Sequence, residues 1–342
     1  MKVKFLSSSP QWPWRRQLPD GKSLHGVEFL FGDETDFDWL VIYDGIQVPY
    51  SCKVSPARTI IVTGEPPNVK IHAQKFIDQF GVLLTPHNLY KHKGKIVTNT
   101  ALPWLLDASY GADGVAREFL DIAQLQEKSV PKTKMLSVIC SNKTTTPEHR
   151  LRLAFVEKLK EHFGDRLDVY GRGFRDMEDK GEAIWPYRYH IALENSVYDH
   201  YWTEKLSDTF IARCCPFYAG CKNIFDYFPQ NSLMPISMTD PPAAIELIEK
   251  ALQDDVAANA QEALVGAREK VFEDYNIFAV LAKIVKERGA ADSAKQDITI
   301  LPEATFQKNG FTRIILNGVE KALPGFKAAV KNIITQKLKK RI

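Results

Sequence analysis

The stretch Tyr187 to Gly220, YRYHIALENSVYDHYWTEKLSDTFIARCCPFYAG, decides how the chain is read. Tyr189 to Leu193 is a short apolar run, and Glu194 to His200 is polar and turn-like. Thr203 can cap a helix whose Leu206, Phe210 and Ile211 share one face. Cys215 to Tyr218 is apolar again, and Gly220 closes it. Strand, loop, helix, strand is a βαβ-type unit, and its polar residues gather where the first strand ends and the helix begins. Open parallel sheets bind ligands at that end. A helix N-terminus also offers free N–H groups and partial positive charge, which suit phosphate. Lys205, in the first helical turn, adds a full charge.

Working outward, a chain of 342 residues predicts about two domains. It is 44% hydrophobic and 25% charged, the profile of a soluble globular protein, and a net charge of +3 is too small to argue for nucleic acid. No apolar run is long enough to span a membrane, and the N-terminal MKVKFLSSSPQWPWRRQ has no signal-peptide core. Five cysteines without Cys-x-x-Cys spacing read as buried thiols, with no zinc site or disulfide framework. The polar, proline-containing Glu127 to Lys134 is the expected interdomain linker. It divides the chain into domains 1–130 and 131–290, followed by a tail, 291–342. Asp292 to Glu303 reads as a mobile link within that tail.

Each domain carries a further strand–loop unit with chemistry at its end. Arg58 to Val62 is a β-branched strand followed by Thr63-Gly64-Glu65-Pro66-Pro67-Asn68. A carboxylate on a proline-stiffened turn at the end of a buried strand is well placed to work. In the second domain, Met135 to Cys140 leads into the polar loop Ser141 to Thr146. Pro147 then opens a helix that Thr146 can cap, with Leu151, Phe155 and Leu159 on one stripe. Arg152 sits beside that stripe, and Arg150 is the competing choice for a cation near the helix start.

Taken together, Leu193-Glu194-Asn195, then Tyr201, then Thr203-Glu204-Lys205 resembles the donor-binding signature of the alpha-1,3-fucosyltransferases, glycosyltransferase family 10. The Thr-Gly-Glu turn and the Arg152-Leu153-Ala154-Phe155 run resemble two further family elements in the family order. The sequence departs from the pattern in having Leu193 for the usual Phe, and Pro66 directly after Glu65. The resemblance implies an α/β fold of GT-B architecture, two Rossmann-like domains facing across a cleft. It implies an inverting transfer of fucose from GDP-fucose to a hydroxyl of a glycan acceptor. Glu65 would be the general base. Arg152 and Lys205 would stabilise the leaving diphosphate, and Asn195, Tyr201 and Glu204 would hold the nucleotide or sugar. No cofactor is required on this reading. It points to a bacterial-type cytoplasmic enzyme of lipopolysaccharide or capsule biosynthesis or protein glycosylation.

Other residues carry alternatives. Trp12 and Trp14, in a proline- and serine-rich loop, are candidates for stacking on an acceptor sugar, against packing onto their own domain. His87 is a further acceptor-contact candidate; His72 and His92 read as surface or loop residues. Asp36-Phe37-Asp38 is formally a D-x-D, so a metal-dependent transferase is one rival, and a non-catalytic carbohydrate- or nucleotide-sugar-binding protein is another. A helix is expected from about Gly114 to Gln126. The lysine-rich segment after Pro324-Gly325 has apolar residues at helical spacing. It suits either peripheral binding to the anionic inner face of the cell membrane or packing onto the N-terminal domain.

Overall fold

The computed structural model describes residues 1–289 and 294–307. The basic segment after Pro324 lies outside the described residues. In chain order the first domain contributes β1 (Lys2–Ser7), β2 (Ser23–Leu24), β3 (Val27–Leu30), β4 (Trp39–Tyr43), β5 (Tyr50–Val54), β6 (Thr59–Val62), β7 (Val82–Thr85) and β8 (Lys95–Val97), with helix α1 (Gln74–Ile77) between β6 and β7. All but β5 form one sheet in the order β2-β3-β1-β4-β6-β7-β8, parallel except at β2–β3. The hairpin β9 (Ala108–Tyr110) and β10 (Ala116–Phe119) and helix α2 (Ile122–Glu127) lead to the second domain. There β11 (Lys134–Ile139), β12 (Leu167–Tyr170), β13 (Tyr187–Leu193), β14 (Cys215–Ala219) and β15 (Met234–Pro235) form a wholly parallel sheet ordered β12-β11-β13-β14-β15. Around it lie α3 (Pro147–Phe163), α4 (Gly181–Ile184), α5 (Glu204–Ile211), α6 (Pro241–Gln253), α7 (Val256–Asn259) and α8 (Gln261–Glu273). Two parallel, helix-covered sheets facing across a cleft are the GT-B architecture.

The strands run as unbroken apolar words because both faces are covered. Along β4, Trp39, Val41 and Tyr43 turn to one face, while Leu40 and Ile42 turn to the other, against Phe76 and Ile77 of α1. The first face is covered by α9 (Ile277–Arg288), a helix from the far side of the donor half. Phe278 of α9 packs at a tilt against Phe29 at 4.8 Å and edge-on to Phe5 at 5.4 Å. Removing such a ring costs about 3–5 kcal/mol.

The chain therefore divides its cores differently from the 1–130 and 131–290 expectation. Residues 277–288 belong to the first core, whereas Trp104, Leu106, Ile122 and Leu125 pack into the second. The linker is polar because it is exposed, but the apolar residues on either side decide which sheet each segment joins. The expected mobile link also differs: its part from 296 onward forms β16 (Gln296–Ile300), paired antiparallel with β5 and so docked on the first domain. The helix expected over Gly114 to Gln126 is only α2, started by a capping box between Asp121 and Gln124; the residues before it form the β9–β10 hairpin. The five cysteines are free thiols, four of them buried. No helix among the described residues is long and apolar enough to cross a membrane.

Candidate active site

Parallel strands deliver their C-terminal ends to one edge, so each domain brings its polar turns to the cleft. On the first domain these are Asp44 after β4, Glu65 after β6 and His87 after β7; on the second, Ser141 after β11 and Asn195 after β13. The two edges touch: Ser196 Oγ donates to Asn68 Oδ1 at 2.8 Å. Asn99, just past β8, donates from Nδ2 to the carbonyls of Trp202 (2.8 Å) and His200 (3.2 Å), holding the loop that leads into α5. Tyr227 Oη accepts from the Asn99 amide at 3.1 Å and pairs with His200 Nδ1 at 2.6 Å, so the junction is bonded from both sides.

On the second domain a cavity of about 360 Å³ opens at the strand ends. Its apolar wall includes Ile139, Ile184, Ile191 and Leu193, and its cations are Lys143, Arg152, Lys180 and Lys205. Thr146 caps α3 by accepting from the His149 amide at 3.2 Å, and one turn later Arg152 lies 7% exposed against the cavity. Arg152 Nη1 donates to Asn195 Oδ1, while its Nε is buried without a hydrogen-bond partner among the described residues. A buried donor left unpaired costs about 1–3 kcal/mol, a cost that an anionic ligand would relieve. Arg150, the competing cation, is exposed and donates to the Thr144 carbonyl.

The Leu-Glu-Asn and Thr-Glu-Lys words turn out to be one bonded unit. Glu194 is fully buried and accepts from the Thr203 amide at 2.7 Å and from Thr203 Oγ1 at 2.8 Å. Burial pushes its carboxyl up, and Lys205, with Nζ 3.6 Å away, pulls against that. Gly220 is needed here, since a Cβ on it would collide with the Glu194 side chain and the Tyr218 hydroxyl. Glu204 is bridged by Lys180 at 3.2 Å and Lys205 at 3.1 Å. Burial alone would raise its pKa, yet the two lysines hold it well below the usual carboxylate range. Lys180 also pairs with buried Asp208 at 3.1 Å, and between these two carboxylates it is held above the ordinary lysine range despite its burial. Asp208 in turn accepts from the Leu105 amide at 3.0 Å.

On the first domain, the Thr63 amide continues the ladder to the Leu84 carbonyl (2.9 Å) and Thr63 Oγ1 donates to Thr85 at 2.8 Å. At Gly64 a Cβ would sit 2.7 Å from the Tyr43 hydroxyl, so only glycine lets the turn lie against β4. Glu65 then stands exposed on the cleft face. Desolvation by the cleft walls pushes its pKa up, as do Asp44 and Glu204, while Lys205 and Lys70 pull down. Glu65 and Lys205 come from different domains and feel each other's charge.

Several sequence expectations are relocated. Tyr201 is 4% exposed and does not line the donor cavity. Burial and then Glu194, Glu65 and Glu204 push its hydroxyl well above the usual tyrosine range, so it sits among the acids at the junction. Trp14 is buried, donates from Nε1 to the Ser9 carbonyl at 2.9 Å and packs on Tyr43 at 4.9 Å, so it packs onto its own domain and offers no face to a sugar. Trp12, half-buried, packs on Trp14 at 5.6 Å. His87 is buried with Nε2 unpartnered among the described residues, and burial, with His72 and Lys95, lowers its pKa to about 4. His72 is buried, contrary to its expected surface position, because two carboxylates, Asp44 and Glu303, meet it. His92, read as surface or loop, is half-buried and bonds from Nε2 to the Phe80 carbonyl at 2.8 Å. Asp36 and Asp38 precede β4 and so lie at the opposite edge of the sheet from Glu65. Asp36 pairs there with Lys2 and Lys295, and Asp38 accepts from the Lys2 amide.

Sequence reasoning missed Lys180, Asp208 and His190. His190 lines the donor cavity, is held neutral by burial with a pKa of about 3, and has Nδ1 2.8 Å from Ser137 Oγ. His190 on β13 and Asp208, one helical turn after Glu204 on α5, lie within the motif stretch and are readable by strand and helix spacing; Lys180 carries no such signal, because the tertiary fold brings it to Glu204.

Residues 129–257 match the family model described as "Glycosyltransferase family 10 (fucosyltransferase) C-term". Among solved structures, the chain is similar to an alpha1,3-fucosyltransferase with GDP (12% identity, 80% of this chain and 90% of that chain, TM-score 0.46). It is similar also to an alpha1,3-fucosyltransferase with GDP-fucose (14% identity, 80% and 90%, TM-score 0.43). A glycosyltransferase from Rickettsia africae ESF-5 is similar at 8% identity over 84% of this chain and 97% of that one, with a TM-score of 0.40. The matched segment spans β11 to α6 and so contains Arg152, Asn195, Glu204 and Lys205. Over that segment, which covers most of the second domain's sheet, the chain is similar to the glycosyltransferase family 10 C-terminal domain.

Proposed function

We propose that the protein moves fucose from GDP-fucose to a hydroxyl of a glycan acceptor with inversion at the anomeric carbon. Glu65 is the general base, and Arg152 and Lys205 stabilise the leaving diphosphate. The observation that carries this reading is the meeting, in one cleft, of a raised-pKa carboxylate from the first domain with the cation-lined cavity of the second. The acceptor hydroxyl attacks the anomeric carbon while its proton passes to Glu65, and the bond from that carbon to the diphosphate oxygen breaks. A base works best when its pKa approaches the operating pH, which is the direction in which Asp44 and Glu204 push Glu65. Charge grows on the departing diphosphate, where charge-assisted donors such as Arg152 and Lys205 act most strongly. Those side chains, with Lys143 and the N-terminus of α5, take the part that a divalent metal plays in other transferases. Asn195 and Glu204 hold the nucleotide or sugar, and Tyr201 backs them; His87, with Nε2 unpartnered among the described residues, is the acceptor-side contact.

Calorimetric titration against GDP- and UDP-sugars, with GDP release in the presence of an oligosaccharide panel, tests the reading. GDP-fucose should bind most tightly and turn over, and excess chelator should leave turnover intact. Binding without turnover would favour a non-catalytic sugar-nucleotide-binding protein, and chelator sensitivity a metal-dependent transferase.

A further inference from the structure

The turn that carries Glu65 is tied down by a cluster of charges that neither the motifs nor the family match names. Residues 66–70 curl back, with the Val69 and Lys70 amides donating to the Pro66 carbonyl at 2.9 and 3.0 Å. Lys70 Nζ then reaches the end of β4, donating to Asp44 Oδ2 at 2.8 Å and to the Asp44 carbonyl at 3.2 Å. Asp44 is itself in the left-handed region, at φ 60°, a strained conformation held by what surrounds it. Its other oxygen, Oδ1, lies 3.1 Å from His72 Nε2, and His72 Nδ1 lies 2.9 Å from Glu303 Oε2. An ionised carboxylate only accepts, so an imidazole between two of them carries both protons. Glu303 Oε1 also accepts from the Ala73 amide at 2.8 Å. The chain Lys70–Asp44–His72–Glu303 thus joins the turn after β6 to the end of β4 and to the segment after β16.

We propose that Asp44 is the positioning residue for Glu65: clamped by Lys70 and His72, it fixes the Thr63–Lys70 turn and sets a second negative charge beside the base. This rests on Glu65 being the base. The groups that face Glu65 from the elements around it are Asp44, Lys70, Lys205 and Glu204, with the buried hydroxyls of Tyr43 and Tyr201 among the same charges. Asp44 pushes the Glu65 pKa up and Lys70 pulls it down, so the two halves of one clamp act on Glu65 with opposite sign.

The test is a carbon-13 NMR titration of the Glu65 side-chain carboxyl, assigned through Glu65→Gln, in the full chain and in Asp44→Asn and Lys70→Met. Asp44→Asn should lower the Glu65 pKa and Lys70→Met should raise it. In both, release of GDP from GDP-fucose should slow by about tenfold or more at neutral pH, while GDP affinity stays at the parental value. A structural role alone would not give shifts of opposite sign. The proposal is overturned if the Glu65 pKa is unmoved or moves the same way in both folded variants, or if GDP affinity falls in step with turnover. Should Asp44→Asn not fold, Lys70→Met decides by itself, and an unmoved or lowered Glu65 pKa sinks the proposal. If Glu65→Gln retains parental turnover, the base assignment fails. If Glu65→Gln is inactive but the titrations do not separate, only the role of Asp44 fails.

Discussion

The two walls of the cleft are built on opposite terms. On the donor wall nearly every charge is answered: Glu194 by Thr203, Glu204 by two lysines, Asp208 by Lys180 and a backbone amide. On the acceptor wall the pairing stops one residue short, at Asp44 with Lys70 and His72, and Glu65 stands exposed beyond it. The difference follows from what each wall has to do. A diphosphate is bound and stabilised by groups already aimed at it, so pairing that removes their freedom before the substrate arrives costs nothing later. A base must give up one proton state for the other in each cycle, and a carboxylate locked between two lysines would be held ionised and unable to accept a proton.

The sharpest way to break that contrast is Glu65→Gln. The amide keeps the shape but cannot accept a proton, so transfer should fall by about 10²–10⁴-fold. GDP affinity should stay put, because the donor cavity lies in the other domain. Parental transfer would make Glu65 a bystander and move the search for the base elsewhere on the acceptor wall.

Lys180→Met attacks the donor wall where pairing is densest. It strands Glu204 and Asp208 without their shared cation, so stability should drop by about 3–5 kcal/mol, read by urea unfolding. Adding Asp208→Asn to that variant should recover part of the loss. If the single variant unfolds at the parental urea concentration, the donor wall does not depend on that pairing. Glu204 also predicts a pH dependence. Its folded pKa is depressed, so its ion-pair stability is present above the ordinary carboxylate pKa of about 4.3 and drains away as pH falls towards the folded value. The stability gap between the parent and Glu204→Gln should therefore be open at neutral pH and narrow in acid.

Lys205→Ala should weaken GDP binding by about 1.5–3 kcal/mol in calorimetric titration, the usual worth of a charge-assisted hydrogen bond. Unchanged GDP affinity would remove Lys205 from the donor site. The smallest effect belongs to the contact between the walls: Ser196→Ala deletes a neutral hydrogen bond to Asn68, worth about 0.5–1.5 kcal/mol. It should appear in turnover more than in GDP affinity, since it fixes the walls relative to each other. An equal loss in both would mean that Asn68 serves the donor cavity directly.

The sequence by itself determined the alternation of strand and helix, the placing of polar turns at strand ends, and the motif words that carry Glu65, Arg152, Asn195, Glu204 and Lys205. These are local: apolar runs, caps and spacing are written over a few residues, and topology carries their ends to one edge. The tertiary structure alone decided that Glu194 accepts from the helix-capping Thr203 and that Trp14 is buried against Tyr43. It alone brought Lys180 to Glu204, 24 residues on, and Glu303 to His72, 231 residues back. A buried charge needs its partner in space, and a partner supplied from another strand or another domain leaves no period in the sequence to read.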